Sequence, residues 1–120
     1  MTQELRFAMM GAGFIAGPNA AALVAQPGVR LVAISNPTIA KAARIARDTG
    51  SDCRLYADWR AMLEQETVDA VLINLPHFLH HEVFLACAAR GLDIIIEKPL
   101  ANTAAQCREM IAAAARHGIR

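Results

Sequence analysis

The sequence predicts an α/β fold: a doubly wound parallel sheet with helices on both faces, in three αβα layers. Three observations carry this. Short apolar runs rich in β-branched residues alternate with alanine-rich helical segments along the whole chain. The runs are apolar at nearly every position, as strands covered on both faces must be. The connections are short, and short strand–helix alternation produces right-handed βαβ units.

Each element follows from local chemistry. Leu5 to Met10 is an apolar run closed by glycines, the first strand. Ala16 to Ala25 is alanine-rich, with Pro18 suited to a first helical turn. Val29 to Ser35, reading VRLVAIS, is the second strand. Thr38 to Thr49 is the second helix, with Thr38 as N-cap and Gly50 just past its end. A weaker strand is expected at Arg54 to Tyr56, and Asp58 caps a short helix reaching about Gln65. Ala70 to Leu75 (AVLINL) and Asp93 to Glu97 (DIIIE) are the last two strands. Between them, His80 to Arg90 is a helix ending at Gly91. Thr103 to His117 opens with T-A-A-Q, a capping-box pattern, and ends at Gly118. His117 is placed to favour that helix's dipole. Neither an internal repeat nor a linker interrupts the order.

Composition bounds the function. A chain of 120 residues suits one domain with one core. A net charge of +1 gives no electrostatic footprint for nucleic acid or an anionic membrane. Apolar residues make up 55% of the chain, which favours packed helices over disorder. No apolar run approaches the roughly 18 residues of a membrane span. The N-terminus lacks a basic-then-apolar signal design. Cys53, Cys87 and Cys107 are odd in number and far apart, which suits structural thiols in a reduced cytoplasmic protein.

The first chemical motif lies at the first strand–helix junction: Gly11-Ala12-Gly13-Phe14-Ile15-Ala16, then Gly17. This is G-x-G-x-x-A. Gly11 allows the tight turn, Gly13 lets backbone approach a pyrophosphate, and Ala16 keeps helix and strand close. The helix N-terminus offers free N–H groups to the phosphates. Gly11, Gly13, Phe14, Ile15 and Ala16 are therefore the expected contacts of a dinucleotide, in a Rossmann-type sheet.

The second strand of such a sheet usually ends near an acid that bonds the adenosine ribose. Here it ends Ser35-Asn36-Pro37-Thr38, and no Asp or Glu occurs between Glu4 and Asp48. Asn36 can still bond a ribose hydroxyl, and nothing repels a 2′-phosphate. With Thr38 beside it and Lys41 one turn on, the reading leans to NADP, with NAD the other candidate. The plainer reading is that Asn36 and Thr38 only cap the second helix.

The remaining motifs sit at the later strand ends, which border the ligand crevice. Leu75-Pro76-His77-Phe78-Leu79-His80-His81 follows the fourth strand. His77 and His81 share helical spacing, but only Glu82 lies nearby as a further ligand, so no metal is expected. Leu75 and Pro76 are expected at the cofactor, and His80 caps its helix or lines the nicotinamide site. Glu97-Lys98-Pro99 leaves the fifth strand beside the nicotinamide. Lys98 can hydrogen-bond substrate and cofactor ribose, and Glu97 can fix or balance it. Pro99 makes the turn rigid and is a natural place for a cis peptide.

Together these stretches resemble the N-terminal half of the Gfo/Idh/MocA family, named for glucose-fructose oxidoreductase and inositol dehydrogenase. The matching segments are G-A-G-F-I-A-G, P-G-V-R-L-V-A-I, Y-A-D-W, V-D-A-V-L-I-N-L-P-H-F-L-H and E-K-P, spanning nearly the whole chain. The resemblance implies NAD(P)-dependent hydride transfer on a sugar, polyol or related hydroxyl compound. It implies that Lys98 contacts substrate and nicotinamide, and that Pro76 and His80 form the family's P-x-x-x-H. Asn36 replaces the usual acid and Leu75 a common threonine. The resemblance also implies a C-terminal α+β domain with the catalytic acid–base residues, expected after residue 120. The alternatives are a non-enzymatic nucleotide-binding or redox-sensing module, and an enzyme using S-adenosylmethionine. In the usual strand order 3-2-1-4-5-6, the Asp93 to Glu97 strand would be internal, paired with a sixth strand after Arg120; without that strand Ile94 to Ile96 lie on an open apolar edge, so a homo-oligomer is expected.

Overall fold

The computed structural model describes residues 3–120. Strands β1 (Leu5–Met10), β2 (Val29–Ser35), β3 (Arg54–Tyr56), β4 (Ala70–Ile73) and β5 (Asp93–Ile96) form one parallel sheet, in the order β3-β2-β1-β4-β5. Helices α1 (Ala16–Val24), α2 (Ile39–Thr49), α3 (Trp59–Gln65), α4 (His80–Ala89) and α5 (Ala104–His117) alternate with the strands. This is the Rossmann-type doubly wound fold expected from the alternation.

The two faces can be read from one strand. Phe7 and Met9 of β1 join Leu31 and Ile34 of β2 in a core closed by α1 and α2. Ala8 and Met10 belong to a second core, with Val71 and Ile73 of β4 and with Met62 and Val83 from α3 and α4. Met9, Met10, Ile34 and Ile73 are fully buried, each contributing roughly 1.5–3 kcal/mol. Ala16, Ala20 and Ala42 are also fully buried, so the small residues let α1 and α2 lie close to the sheet. Phe84, Ala88, Met110 and Ala113 join α4 to α5 in a smaller cluster.

The helix ends follow the sequence with two exceptions. Asp58 Oδ1 accepts from the Arg60 N–H at 3.2 Å, and Thr103 Oγ1 accepts from the Gln106 N–H at 3.1 Å. Thr38 holds the N-cap position of α2, but its side chain makes no capping bond. His80 does not cap α4 either; Leu79 holds that position after a 3₁₀ turn at His77–Leu79. Arg116 and His117 occupy the last turn of α5, where cations suit the dipole. No helix among the described residues is long and apolar enough to cross a membrane.

The edge of β5 is less open than expected. The Ile94 N–H donates to the Arg120 carbonyl at 2.8 Å, and Asp93 Oδ1 accepts from the Arg120 N–H at 2.8 Å. The last residue therefore runs beside the strand and occupies part of its outer side. Ile95 stays half exposed.

Two ionic contacts fasten strand ends. Asp69, just before β4, accepts from the backbone and guanidinium of Arg6 on β1, which holds its carboxyl below the usual range. The Glu66 side chain is 3% exposed and accepts from Arg54 and Tyr56, with Arg54 the main cause of its lowered value. Depressed carboxyls stabilise the fold above their unfolded values near 4, and this is lost as pH falls through the folded ones. The urea midpoint should therefore decline as pH falls below about 5. Glu66→Gln and Asp69→Asn, measured across the same range, should each flatten that decline; an unaltered slope in both would place the acid sensitivity elsewhere.

Candidate cofactor-binding site

The turn after β1 explains its first glycine without any ligand. Gly11 has φ +93°, and a Cβ there would stand 2.7 Å from the Asn74 carbonyl oxygen at the end of β4. Its N–H donates to the Ser35 carbonyl of β2 at 2.9 Å. Gly13 is different. A Cβ there would meet nothing within 4 Å, and the residue is exposed. The protein itself does not require glycine at this position, and the space beside it is open to a group from outside.

The start of α1 fits an anion. Ile15 is its N-cap, no side chain caps it, and no acid lies in its first turn. The Ala16 N–H is taken by the Gly13 carbonyl at 3.1 Å and Pro18 has none, so the Gly17 N–H and the positive dipole end are what this turn offers the crevice. A cavity of about 560 Å³ runs from Gly11 and Gly13 past Asn36 and Thr38 to Leu75 and Pro76. A second, of about 470 Å³, adjoins it along Phe14, Gly17, Lys41 and Arg44. Phe14 is fully exposed and Ile15 partly so, whereas Ala16 is buried and holds α1 against the sheet.

Asn36 is committed within the protein. Its Oδ1 accepts from the Ala12 N–H at 2.9 Å, and its Nδ2 donates to the Thr38 carbonyl at 2.9 Å. It laces the glycine loop to the start of α2 and leaves one amide hydrogen for a ribose. Thr38 and Lys41 are exposed beside it. Arg44 has only a loose contact with Asp48, at 3.7 Å, as a competing charge.

His80 is 1% exposed and is not on the crevice wall, although its neighbour Leu79 is. Its Nδ1 faces the carbonyls of Pro99 and Leu100 at 2.9 and 3.2 Å, and its Nε2 faces the Leu75 carbonyl at 3.0 Å. The expectation that it lines the nicotinamide site is corrected by this burial. His81 lies against Glu109 of α5 at 2.7 Å rather than pairing with His77.

The Glu97-Lys98-Pro99 turn stands at the carboxyl end of β5, with a cis peptide between Lys98 and Pro99. Glu97 Oε1 accepts from Asn19 Nδ2 at 2.9 Å, and Oε2 accepts from the Lys98 N–H at 3.1 Å. These bonds, Asn19's first, hold the Glu97 carboxyl below its usual range. Glu97 thus fixes the Lys98 backbone rather than pairing with its ammonium. Lys98 is exposed and forms no ion pair among the described residues.

Two residues that sequence reasoning missed complete the site. Asn19 Nδ2 also donates to Asn74 Oδ1 at 2.7 Å. Asn74 lines the larger cavity, and its Nδ2 is the one buried side-chain polar atom without a partner among the described residues. A buried orphan donor is costly, and it fits a wall that a polar ligand covers. The available signals were small: Asn19 is a polar residue within an apolar helix, and Asn74 a polar residue at the tip of an apolar strand. The thiols carry no sign of chemistry. Burial pushes Cys53 up to about 11 and Cys87 up to about 12, the reverse of an activated nucleophile.

A glycine loop of this build, at the first crossover of this sheet, makes the chain a dinucleotide-binding Rossmann domain. Residues 5–120 match the model of an oxidoreductase family with an NAD-binding Rossmann fold, and the chain belongs to that family, Gfo/Idh/MocA. It is 35% identical over 117 residues to dTDP-3,4-didehydro-2,6-dideoxy-alpha-D-glucose 3-reductase of Streptomyces antibioticus, covering 97% of this chain and 35% of that protein. The WlbA dehydrogenase of Chromobacterium violaceum, solved with NADH and UDP-GlcNAcA, superposes with a TM-score of 0.88 at 28% identity, over 98% of this chain and 34% of that one. A 3-ketoreductase of Actinomadura kijaniata, solved with TDP-benzene and NADP, gives 0.86 at 29% identity, over 98% and 37%. The chain spans about a third of the length of these relatives. The NAD-binding family sets aside S-adenosylmethionine.

The two glycines should separate folding from binding. Gly11→Ala should lower the urea-unfolding free energy by roughly 1–3 kcal/mol from its backbone conformation alone. Gly13→Val should leave the midpoint near that of the parent and weaken dinucleotide binding at least about tenfold, or 1.4 kcal/mol. Unchanged binding in Gly13→Val would move the pyrophosphate to another part of the crevice.

Proposed function

We propose that the chain is the cofactor-binding part of an oxidoreductase that transfers hydride between NADP or NAD and a sugar, polyol or related hydroxyl compound. The observation that carries this is Lys98, an ammonium without an ion pair among the described residues, on a turn anchored at the carboxyl end of β5, at the same end of the sheet as the glycine loop. When bound, the nicotinamide supplies the hydride donor or acceptor. Gly13 and the uncapped start of α1 bind the pyrophosphate. The polar wall of Asn36 and Thr38 receives the adenosine ribose. Lys98 donates to an oxygen of the substrate and steadies the negative charge that grows there. The acid–base residues come from outside these 120 residues, which agrees with relatives about three times as long. The named substrates of those relatives, a dideoxy sugar nucleotide among them, support a carbohydrate-like substrate.

NADP is the favoured cofactor. No acid stands at the tip of β2, and Lys41 and Arg44 line the cavity next to the glycine loop. The three free thiols suit a reducing compartment such as the cytoplasm. Half-exposed Ile95 and exposed Ile111 suit a second copy of the chain.

Titration with NADPH and NADH tests the cofactor. NADPH should bind more tightly, and Lys41→Ala or Arg44→Ala should weaken NADPH about tenfold while moving NADH less than about twofold, as loss of a phosphate contact implies. Equal losses for both, or tighter NADH in the parent, would place the choice in another segment. In a protein with the length of its relatives, Lys98→Ala should cut turnover with a polyol or sugar sharply and largely spare cofactor binding. Binding without turnover in that longer protein would favour a sensing module.

A further inference from the structure

We infer that Asn19 and His80 are positioning residues that clamp the Lys98 turn from opposite faces of the sheet, an inference that rests on the role proposed for Lys98. Asn19 is on α1, which closes one core; His80 is on α4, which closes the other. Both reach the same short turn.

From the first side, the amide of Asn19 has a determined orientation. The Glu97 carboxylate can only accept, so the NH2 group must face it. The same nitrogen donates to Asn74 Oδ1, so both of its hydrogens are engaged, at 2.9 and 2.7 Å. Glu97 is thereby held, and its other oxygen accepts from the Lys98 N–H. From the second side, two carbonyls, Pro99 and Leu100, converge on His80 Nδ1, and one, Leu75, faces Nε2. Two acceptors at Nδ1 favour the tautomer that carries its proton there and donates to Pro99. The carbonyl at Nε2 belongs to Leu75, the residue after the Asn74 that Asn19 holds.

Lys98 itself touches no charged partner among the described residues, so its direction is set by the backbone on either side. Residue 97 is held from α1, and residues 99 and 100 from α4. Neither clamp residue borrows the ammonium, which leaves it free for a ligand.

Nuclear magnetic resonance of the 120-residue chain tests this. Long-range proton–nitrogen spectra should show His80 Nδ1 protonated; a ring protonated on Nε2 alone overturns the His80 clamp. Asn19→Asp, which sets a carboxylate against Glu97, should speed hydrogen exchange of the Lys98 amide at least about tenfold while the amides of β4 keep the parent rate, as local loss of a charged acceptor predicts. His80→Ala should loosen the same turn, and His80→Asn, which keeps a donor at the Nδ1 position, should restore it. Exchange at Lys98 equal to the parent in both Asn19→Asp and His80→Ala overturns the inference. NADPH added to the parent should shift the Lys98 side-chain signals, and the loosened variants should lose that shift even at saturation. Failure of the parent to bind either NADPH or NADH counts against the proposed function, whereas the exchange rates judge the clamp by themselves.

Discussion

The architecture depends on one close approach. Gly11 of the first turn lies so near the Asn74 carbonyl that no side chain fits between them. That contact draws the exits of β1 and β4 together, and the same turn donates to Ser35 at the exit of β2. Three strand ends are thus drawn together at one point. The crevice exists because the loops beyond must then spread outward, the glycine loop and Asn36 to one side and Leu75 and Pro76 to the other. The order of strands puts β5 next to β4, so the Lys98 turn emerges beside this point rather than across the sheet.

Much of the scaffold was legible because the physics involved is local. Runs such as Ala70 to Ile73 carry no polar residue, and only a strand covered on both faces accommodates that. Gly50 and Gly118 adopt the left-handed conformation that ends a helix, as their positions implied. The glycine motif was legible for a related reason: two of its three small residues answer steric demands inside the fold, and the third faces open space. Gly11 answers to Asn74, Ala16 to the sheet, and Gly13 to nothing in the protein.

The polar lining of the site was less legible, because it depends on distances that pattern does not encode. Asn19 and Glu97 are 78 positions apart and meet only once α1 has packed on the sheet against β2. His80 resembled a ligand because it follows a strand end, yet its ring turned inward to three carbonyls. Those carbonyls belong to irregular backbone, which must find donors somewhere when buried. Thr38 misled in the opposite way. Its type and position suit a cap, but the nearby Asn36 already organises the loop, and the hydroxyl is left to solvent.

The amide of Asn36 carries a consequence for anyone redesigning coenzyme preference. One end of it receives the Ala12 N–H and the other donates to the Thr38 carbonyl, so it stitches two loops with opposite polarities. A carboxylate in its place keeps the first stitch but turns the second into a meeting of two acceptors. Recruiting the free ribose hydroxyls of one coenzyme therefore also unpicks the loop that supports them. A workable exchange would need a new donor near Thr38 in the same step, because the selectivity and the architecture of this corner are written in one side chain.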